Sequence, residues 1–110
     1  MAATREEVAG VFPVMVQRFD PTKAENVNAT IQFDLAGDNG GQYWLRIGDG
    51  KAETGVGQSE SPRLTLKASA DDFISLMSGS LNPMQAFMTG KIKIVGDTNL
   101  AMKLMPMING

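Results

Sequence analysis

Apolar side chains recur at every second residue along five short stretches of the chain, a pattern typical of half-buried β-strands. In the clearest stretch Ile31, Phe33 and Leu35 point to one side, and the polar residues between them point to the other. Strands are predicted over residues 29–35, 42–47, 51–57, 62–68 and 91–95. Turns rich in glycine, asparagine and aspartate connect the first of these, so we expect the first four strands to form an antiparallel meander with one polar face.

Four other segments carry apolar residues three and four positions apart, which indicates helices with one buried side. Their predicted starts are a capping box at Thr4 and Glu7 and N-caps at Ser69, Asn82 and Asp97, and their predicted ends are Asp20, Ser78, Gly90 and Pro106. Pro13 lies inside the first pattern, so that helix is expected either to kink there or to begin later. Because one face of the sheet is polar, the helices should cover only the other face. This predicts one α+β domain over residues 1–110, with a five-stranded, mostly antiparallel sheet.

The methionines are unevenly distributed. The chain has eight, and apart from Met1 and Met15 they all lie between residues 77 and 107. Methionine fills irregular gaps in a core, and it also adapts to ligands of varied shape, so this pattern leaves core and cavity as alternatives. The helix after Asp97 is apolar nearly all round, and a lipid, a second subunit or the protein's own core would each satisfy it.

Composition excludes several classes of function. Among 110 residues there is no cysteine and no histidine, which removes thiol nucleophiles, Ser-His pairs and nearly all zinc sites. The formal charge of −2 gives no basic excess for nucleic acid, so no nucleic-acid partner is predicted. Asp71 and Asp72 are interpreted as first-turn acids of a helix rather than a catalytic pair, and no metal, cofactor or enzymatic activity is predicted. We expect a cytoplasmic location, because residues 1–10 are polar and no stretch is long enough to span a bilayer.

Two positions in the predicted sheet have less usual neighbours. Gly55 lies inside a strand pattern, which indicates a bulge or a closely approaching neighbour. Trp44 falls on the polar face of its strand, and it is interpreted either as a partly buried sheet residue or as part of a partner surface.

The last third of the chain resembles a known family. The run from Ser78 to Asp97, SGSLNPMQAFMTGKIKIVGD, and the segment LAMKL at residues 100–104 closely resemble the sterol carrier protein type 2 family. That family reads G-K-L-N-P-x-x-A-F-x-x-G-K-L-K-I-x-G-[DN] and then L-A-x-K-L. Residues 31–35 and 48–51 fit its first strands and turn, and Asp72-Phe73 fits its helix opening, so the resemblance spans nearly the whole chain.

The resemblance implies a five-stranded sheet with helices on one face and an apolar tunnel between them. It also implies non-catalytic binding and carriage of fatty acids, fatty acyl-CoA, sterols or phospholipids. By family position, the predicted lipid contacts are Phe33, Leu35, Phe73, Ile74, Met77, Met84, Phe87, Met88, Leu100, Met102, Leu104 and Met105. Tyr43 or Gln85 is the predicted head-group contact.

The expected partner is therefore a lipid ligand, with at most transient membrane contact, and the chain is expected to be a monomer or a homodimer. The alternative is an interaction or dimerisation module with a filled core and no ligand. Such a module would use the Trp44 face or the last helix.

Overall fold

The computed structural model describes residues 4–24 and 26–108, with side chains described up to residue 104. The elements are α1 (Arg5–Arg18), β1 (Ala29–Ala36), β2 (Gly41–Gly48), β3 (Lys51–Val56), β4 (Leu64–Ser69), α2 (Ala70–Ser78), α3 (Pro83–Met88), β5 (Ile92–Gly96) and α4 (Thr98–Ile108). This is the predicted α+β order of one helix, four strands, two helices, a strand and a last helix. The prediction is confirmed because each element carries its own period of apolar residues.

The predicted helix caps are formed by short side chains. Thr4 and Glu7 make a reciprocal capping box, Ser69 accepts the backbone N–H of Asp72 at 3.0 Å, and the carboxylate of Asp97 accepts that of Leu100 at 3.1 Å. These bonds satisfy N–H groups that the first turn of a helix leaves without partners. The caps are local, which is why sequence alone locates them.

Two prolines lie inside helices rather than at their ends. α1 continues through Pro13, because the Ala9 carbonyl that loses its partner is on an exposed turn where water can replace the bond. α4 runs to Ile108, so the predicted end at Pro106 is wrong. Pro106 lacks the N–H that would bond the carbonyl of Met102, and the helix continues past this one missing hydrogen bond.

The sheet order is β3-β2-β1-β4-β5, and β1 pairs with β4 in parallel, Phe33 lying beside Leu66. The other three pairings are antiparallel, which confirms a mostly antiparallel sheet. The predicted four-strand meander is wrong at β4, because residues 57–63 are not a tight turn. β4 lies three strand spacings from β3, about 14 Å, and seven residues at about 3.3 Å each span that distance.

The connection between β3 and β4 is held on the outer face of the sheet by Gln32. Its side-chain amide donates to the Gly57 carbonyl at 3.1 Å and accepts from both the backbone N–H and the hydroxyl of Ser59, at 2.8 and 2.7 Å. Gln32 is completely buried, and each of these bonds goes to the loop. A buried amide with satisfied donors and acceptors fixes where the loop crosses.

The helices cover the inner face of the sheet, where the core lies. Its residues come from every layer and include Val8, Phe12, Met15, Ile31, Phe33, Leu45, Ile47, Leu64, Phe73, Leu76, Leu100 and Leu104. The inward side chains of β1 and β2 are those predicted by alternation. Two of these helices, α1 and α2, also form the walls of an apolar groove.

On the outer face, the Trp44 ring lies over Gly55, its cross-strand partner. A Cβ atom at Gly55 would overlap the ring, so the prediction of a closely approaching neighbour is confirmed. Trp44 is half-buried, and the Arg46 guanidinium lies 5.9 Å from the ring centre. The absence of a side chain at Gly55 makes room for the indole.

Gly55→Ala should therefore displace Trp44, the single tryptophan of the chain. We expect a red-shifted tryptophan emission and a loss of about 1–3 kcal/mol of unfolding free energy from overpacking. Gly10→Ala is the matched control, because nothing lies within 4 Å of a Cβ added there. It should leave the emission unchanged. Equal emission and equal stability for both variants would contradict the close contact.

Candidate functional site

An apolar groove runs between α1 and α2. Its walls are Val11, Val14 and Met15 from α1 and Ile74 and Met77 from α2, and it encloses about 350 Å³. That volume is at the lower end of the range for small-molecule sites. Glu7, Arg18 and Ser78, all exposed, also line it. The groove is therefore apolar along its length and carries one charge of each sign at its edge.

Helical spacing explains why these side chains meet. Val11, Val14 and Met15 are three and four residues apart, so they project from one side of α1. Ile74 and Met77 are related in the same way on α2. The two helices lie next to each other on the sheet, and their facing sides form the groove walls.

A cluster of aromatic rings lies in the core beside the groove. Phe12 is stacked on Tyr43 at 4.3 Å between ring centres and on Phe73 at 5.5 Å, and it meets Phe33 edge-on at 5.2 Å. Phe33 and Phe73 are also edge-on, at 5.7 Å. All four rings are buried. This aromatic cluster fills space between helices and sheet where the family resemblance implies a tunnel.

The predicted contacts from the sheet, α2 and α4 lie in or beside this core. Phe33, Leu35, Phe73, Leu100 and Leu104 are buried, whereas Ile74 and Met77 are half-buried in the groove wall. The structure thus brings these predicted residues to one side of the sheet. Their role as lipid contacts stays a prediction.

The remaining predicted contacts are on the surface. The exposed fractions are 53% for Met84, 47% for Phe87, 77% for Met88 and 66% for Met102. These four side chains are therefore not part of the buried core, and their role as lipid contacts stays a prediction. Helical spacing shows that residues share a side but not which side faces the protein, and in α3 it is Ala86 that is buried. The side chain of Met105 lies outside the described residues.

Sequence reasoning missed several groove residues. Val14 and Arg18 were not predicted as site residues, and Val11 and Met15 were predicted only as the buried side of a helix. One signal in the sequence could have indicated them. The apolar residues of α1 extend beyond its main apolar face to Val14, and such a helix needs an apolar contact on that flank as well. The predicted head-group contacts differ in position. Tyr43 is buried in the aromatic cluster, and Gln85 is exposed on α3.

No group of three or more histidine, cysteine, aspartate or glutamate side chains that could hold a metal occurs in the described part of the chain. The pKa of Asp20 is lowered, mainly by the hydrogen bond from the Thr22 hydroxyl at 2.6 Å, but Asp20 lies in the turn after α1. Within the described helices, none is long and apolar enough to cross a membrane.

Comparison with known proteins identifies related sequences. Residues 16–109 match the SCP-2 sterol transfer family. Hydroxysteroid dehydrogenase-like protein 2 of Bos taurus is 39% identical over 103 residues, which are 93% of this chain and 25% of that protein. The chain therefore spans a quarter or less of the length of the curated relatives it matches.

Two solved structures share the fold over nearly the full length of both chains. Palmitated SCP2L2 from Aedes aegypti is 25% identical with a TM-score of 0.75, and the match covers 98% of this chain and 96% of that one. The sterol carrier protein domain 2 of Helicoverpa armigera is 30% identical with a TM-score of 0.67, covering 96% and 90%. The five-stranded sheet with helices on one face is thus a recurring arrangement.

Proposed function

This chain belongs to the SCP-2 sterol transfer family, and from that premise we propose that it binds the alkyl chain of a fatty acid between α1 and α2. The observation that carries the proposal is the apolar groove of about 350 Å³ beside the buried aromatic cluster. The palmitated state of the Aedes aegypti relative supports the choice of a long-chain fatty acid. The family membership also bears out the resemblance found in the sequence.

Burial of the alkyl chain is the main source of free energy for such binding. Each methylene removed from water contributes about 0.8 kcal/mol, so twelve contribute about 10 kcal/mol. Association costs about 4–15 kcal/mol in lost freedom, so burial of twelve methylenes exceeds the lower part of that range and longer chains gain further. Apolar walls without directional contacts also accept different chains, so fatty acyl-CoA, sterols and phospholipids belong to the proposed range.

We further propose that the ligand opens the predicted tunnel. The groove holds part of a long chain, and the remainder would displace the rings of Phe12 and Phe73, which lie one residue from groove positions Val11 and Ile74. A ligand stabilises an otherwise minor open conformation when it binds that conformation more tightly.

Arg18 is the proposed partner for the fatty-acid carboxylate. Arg18 lines the groove and is exposed. Among the described residues, its side chain forms no ion pair and no hydrogen bond. A guanidinium group can hold a carboxylate through two parallel hydrogen bonds. The neighbouring charge, Glu7, is already used in the capping box with Thr4.

The proposed activity is carriage without catalysis, and the second candidate is a ligand-free interaction or dimerisation module. The aromatic cluster favours that second candidate, because its four buried rings occupy space between the helices and the sheet. The two candidates differ in whether the purified protein takes up lipid.

Displacement of a fluorescent fatty acid by palmitate from delipidated protein tests the proposal. We expect saturable binding with one equivalent of lipid, seen also as a bound mass in native mass spectrometry. Methyl palmitate should compete less well than palmitate, because it cannot accept the charge-assisted bonds of Arg18. Absence of binding for every chain length would establish the filled-core candidate instead.

A further inference from the structure

A second cavity, the outer pocket, lies on the outer face of the sheet among residues 28–30, 46–53 and 61–63. It encloses about 660 Å³ where β1 begins, where β2 turns into β3 and where the chain enters β4. Eight of its eleven lining residues carry a polar or charged side chain, whereas the walls of the groove between α1 and α2 are apolar. The outer pocket therefore suits a polar ligand rather than an alkyl chain.

Alternation along the strands explains which side chains reach the outer pocket. Thr30, Arg46 and Glu53 are direct neighbours in one row across β1, β2 and β3. The alternate residues of β1 and β2 pack in the core, so this row faces outward. Further along β2, Gly48 has no side chain, and a Cβ atom there would lie only 3.0 Å from the amide oxygen of Asn28. Its absence keeps that part of the pocket open.

The side of the outer pocket formed by residues 61–63 is held by backbone hydrogen bonds. The N–H of Arg63 donates to the Thr30 carbonyl at 2.9 Å, and the Arg63 carbonyl accepts the N–H of Asp97 at 3.1 Å. Ser61 has a φ of +46°, a left-handed conformation that persists where the surrounding structure holds it. The pocket is thus already formed, which lowers the cost of ordering it around a ligand.

Two cations of the outer pocket have no protein partner. Arg63 and Lys51 are exposed, and within the described part of the chain their side chains form no ion pair and no hydrogen bond. Arg46 differs from them, because it forms an ion pair with Glu53 on the next strand. The described lining residues include one further carboxylate, Asp49. The groups outside the ion pair therefore carry more positive than negative charge.

We propose that the outer pocket binds a small soluble phosphate monoester whose organic part carries hydroxyl groups. The guanidinium of Arg63 holds two phosphate oxygens through parallel hydrogen bonds, and Lys51 adds a second positive charge. The side chains of Asn28 and Thr30 donate to and accept from the hydroxyl groups of the organic part. The carboxylate of Asp49 accepts from a further hydroxyl.

The size and chemistry of the outer pocket favour this class of ligand. Its volume lies within the range of about 300–1,000 Å³ that holds small molecules. Arg63 and Lys51 match the charge of about −1.5 to −2 that a phosphate monoester carries at pH 7. None of the described lining residues is aromatic, so a nucleotide base has no ring to stack on.

Titration of the full chain with glucose 6-phosphate, followed by the NMR shifts of the backbone amides, tests the proposal. We expect saturable shifts confined to residues 28–30, 46–53 and 61–63. Inorganic phosphate lacks the hydroxyl-bearing part and glucose lacks the charge, so each should bind with roughly tenfold lower affinity. Arg63→Gln removes the charge and both parallel hydrogen bonds, and it should lower the affinity roughly tenfold or more. Arg63→Lys keeps the charge without the fork, so its affinity should lie between the two.

Lys103→Gln is the matched control, since it removes one positive charge from an exposed position on α4, outside the outer pocket. It should bind glucose 6-phosphate like the unchanged protein, and the amide spectrum of each variant establishes that it is folded. Absence of saturable binding overturns the proposal, and so does equal affinity of the Arg63→Gln and Lys103→Gln variants. Inorganic phosphate binding as tightly as glucose 6-phosphate overturns it as well, because the pocket would then hold an adventitious ion only.

Discussion

Met77→Glu should weaken palmitate binding by roughly a hundredfold, the equivalent of about 3 kcal/mol, while leaving the protein folded. Met77 is half-buried in the wall of the groove, where its thioether would contact the alkyl chain. Without ligand, a carboxylate at this position reaches water through the open groove. A bound alkyl chain would remove that water, and the ionised group would then be desolvated without a partner. The measurement is displacement of a fluorescent fatty acid, with circular dichroism to establish the fold.

Two further glutamate variants make this prediction specific. Val95→Glu changes an exposed apolar residue on the outer face of β5, and it should bind palmitate normally. Met102→Glu, on α4, should also bind normally, because Met102 is exposed and does not line the groove. If Met102→Glu abolishes binding and Met77→Glu does not, the lipid lies against α4 rather than between α1 and α2.

Phe12→Ala should destabilise the fold by about 4 kcal/mol, within the range of 3–5 kcal/mol measured for buried phenylalanines. Phe12 is almost completely buried and its ring contacts Phe33, Tyr43 and Phe73. Each ring pair adds about 0.5–1.5 kcal/mol beyond the area buried, and the substitution removes three pairs at once. Since domains of this size have only about 5–15 kcal/mol of stability, the variant should unfold at much lower urea concentration.

Phe87→Ala is the matched control for this substitution. It removes the same ring from a half-exposed position on α3, where the loss should stay below about 1 kcal/mol. Phe12→Leu, which keeps most of the volume, should lie between the two. If Phe12→Ala costs no more than Phe87→Ala, the aromatic cluster is loosely packed, and an open tunnel would already exist without ligand.

Local chemistry explains what the sequence predicts well. The strands at residues 29–36 and 41–48 follow from alternation, and the caps at Thr4, Ser69 and Asn82 depend on neighbours two or three residues away. The family resemblance rests mainly on the run from Ser78 to Asp97 and the segment at residues 100–104. In each of these the deciding residues are close together in the chain.

What the sequence did not predict depends on contacts between distant residues. The parallel pairing of β4 requires a crossing loop, and Gln32 binds that loop twenty-five residues further along the chain, at Gly57. In α3 the buried residue is Ala86. The spacing of the apolar residues does not indicate that this side of the helix faces the protein. The groove requires one side of α1 to meet one side of α2, so its walls become visible only when both helices have been placed.

The crossing loop also determines the order in which the sheet can assemble. The strands β1, β2 and β3 are joined by short turns, so they can pair as soon as residue 56 has left the ribosome. Pairing of β1 with β4 joins Ile31 to Leu64 and requires closure of a much longer stretch of chain. During synthesis, one edge of β1 therefore stays open to other strands until β4 leaves the ribosome. Gln32, which lies beside that edge, becomes buried only when the loop closes over it.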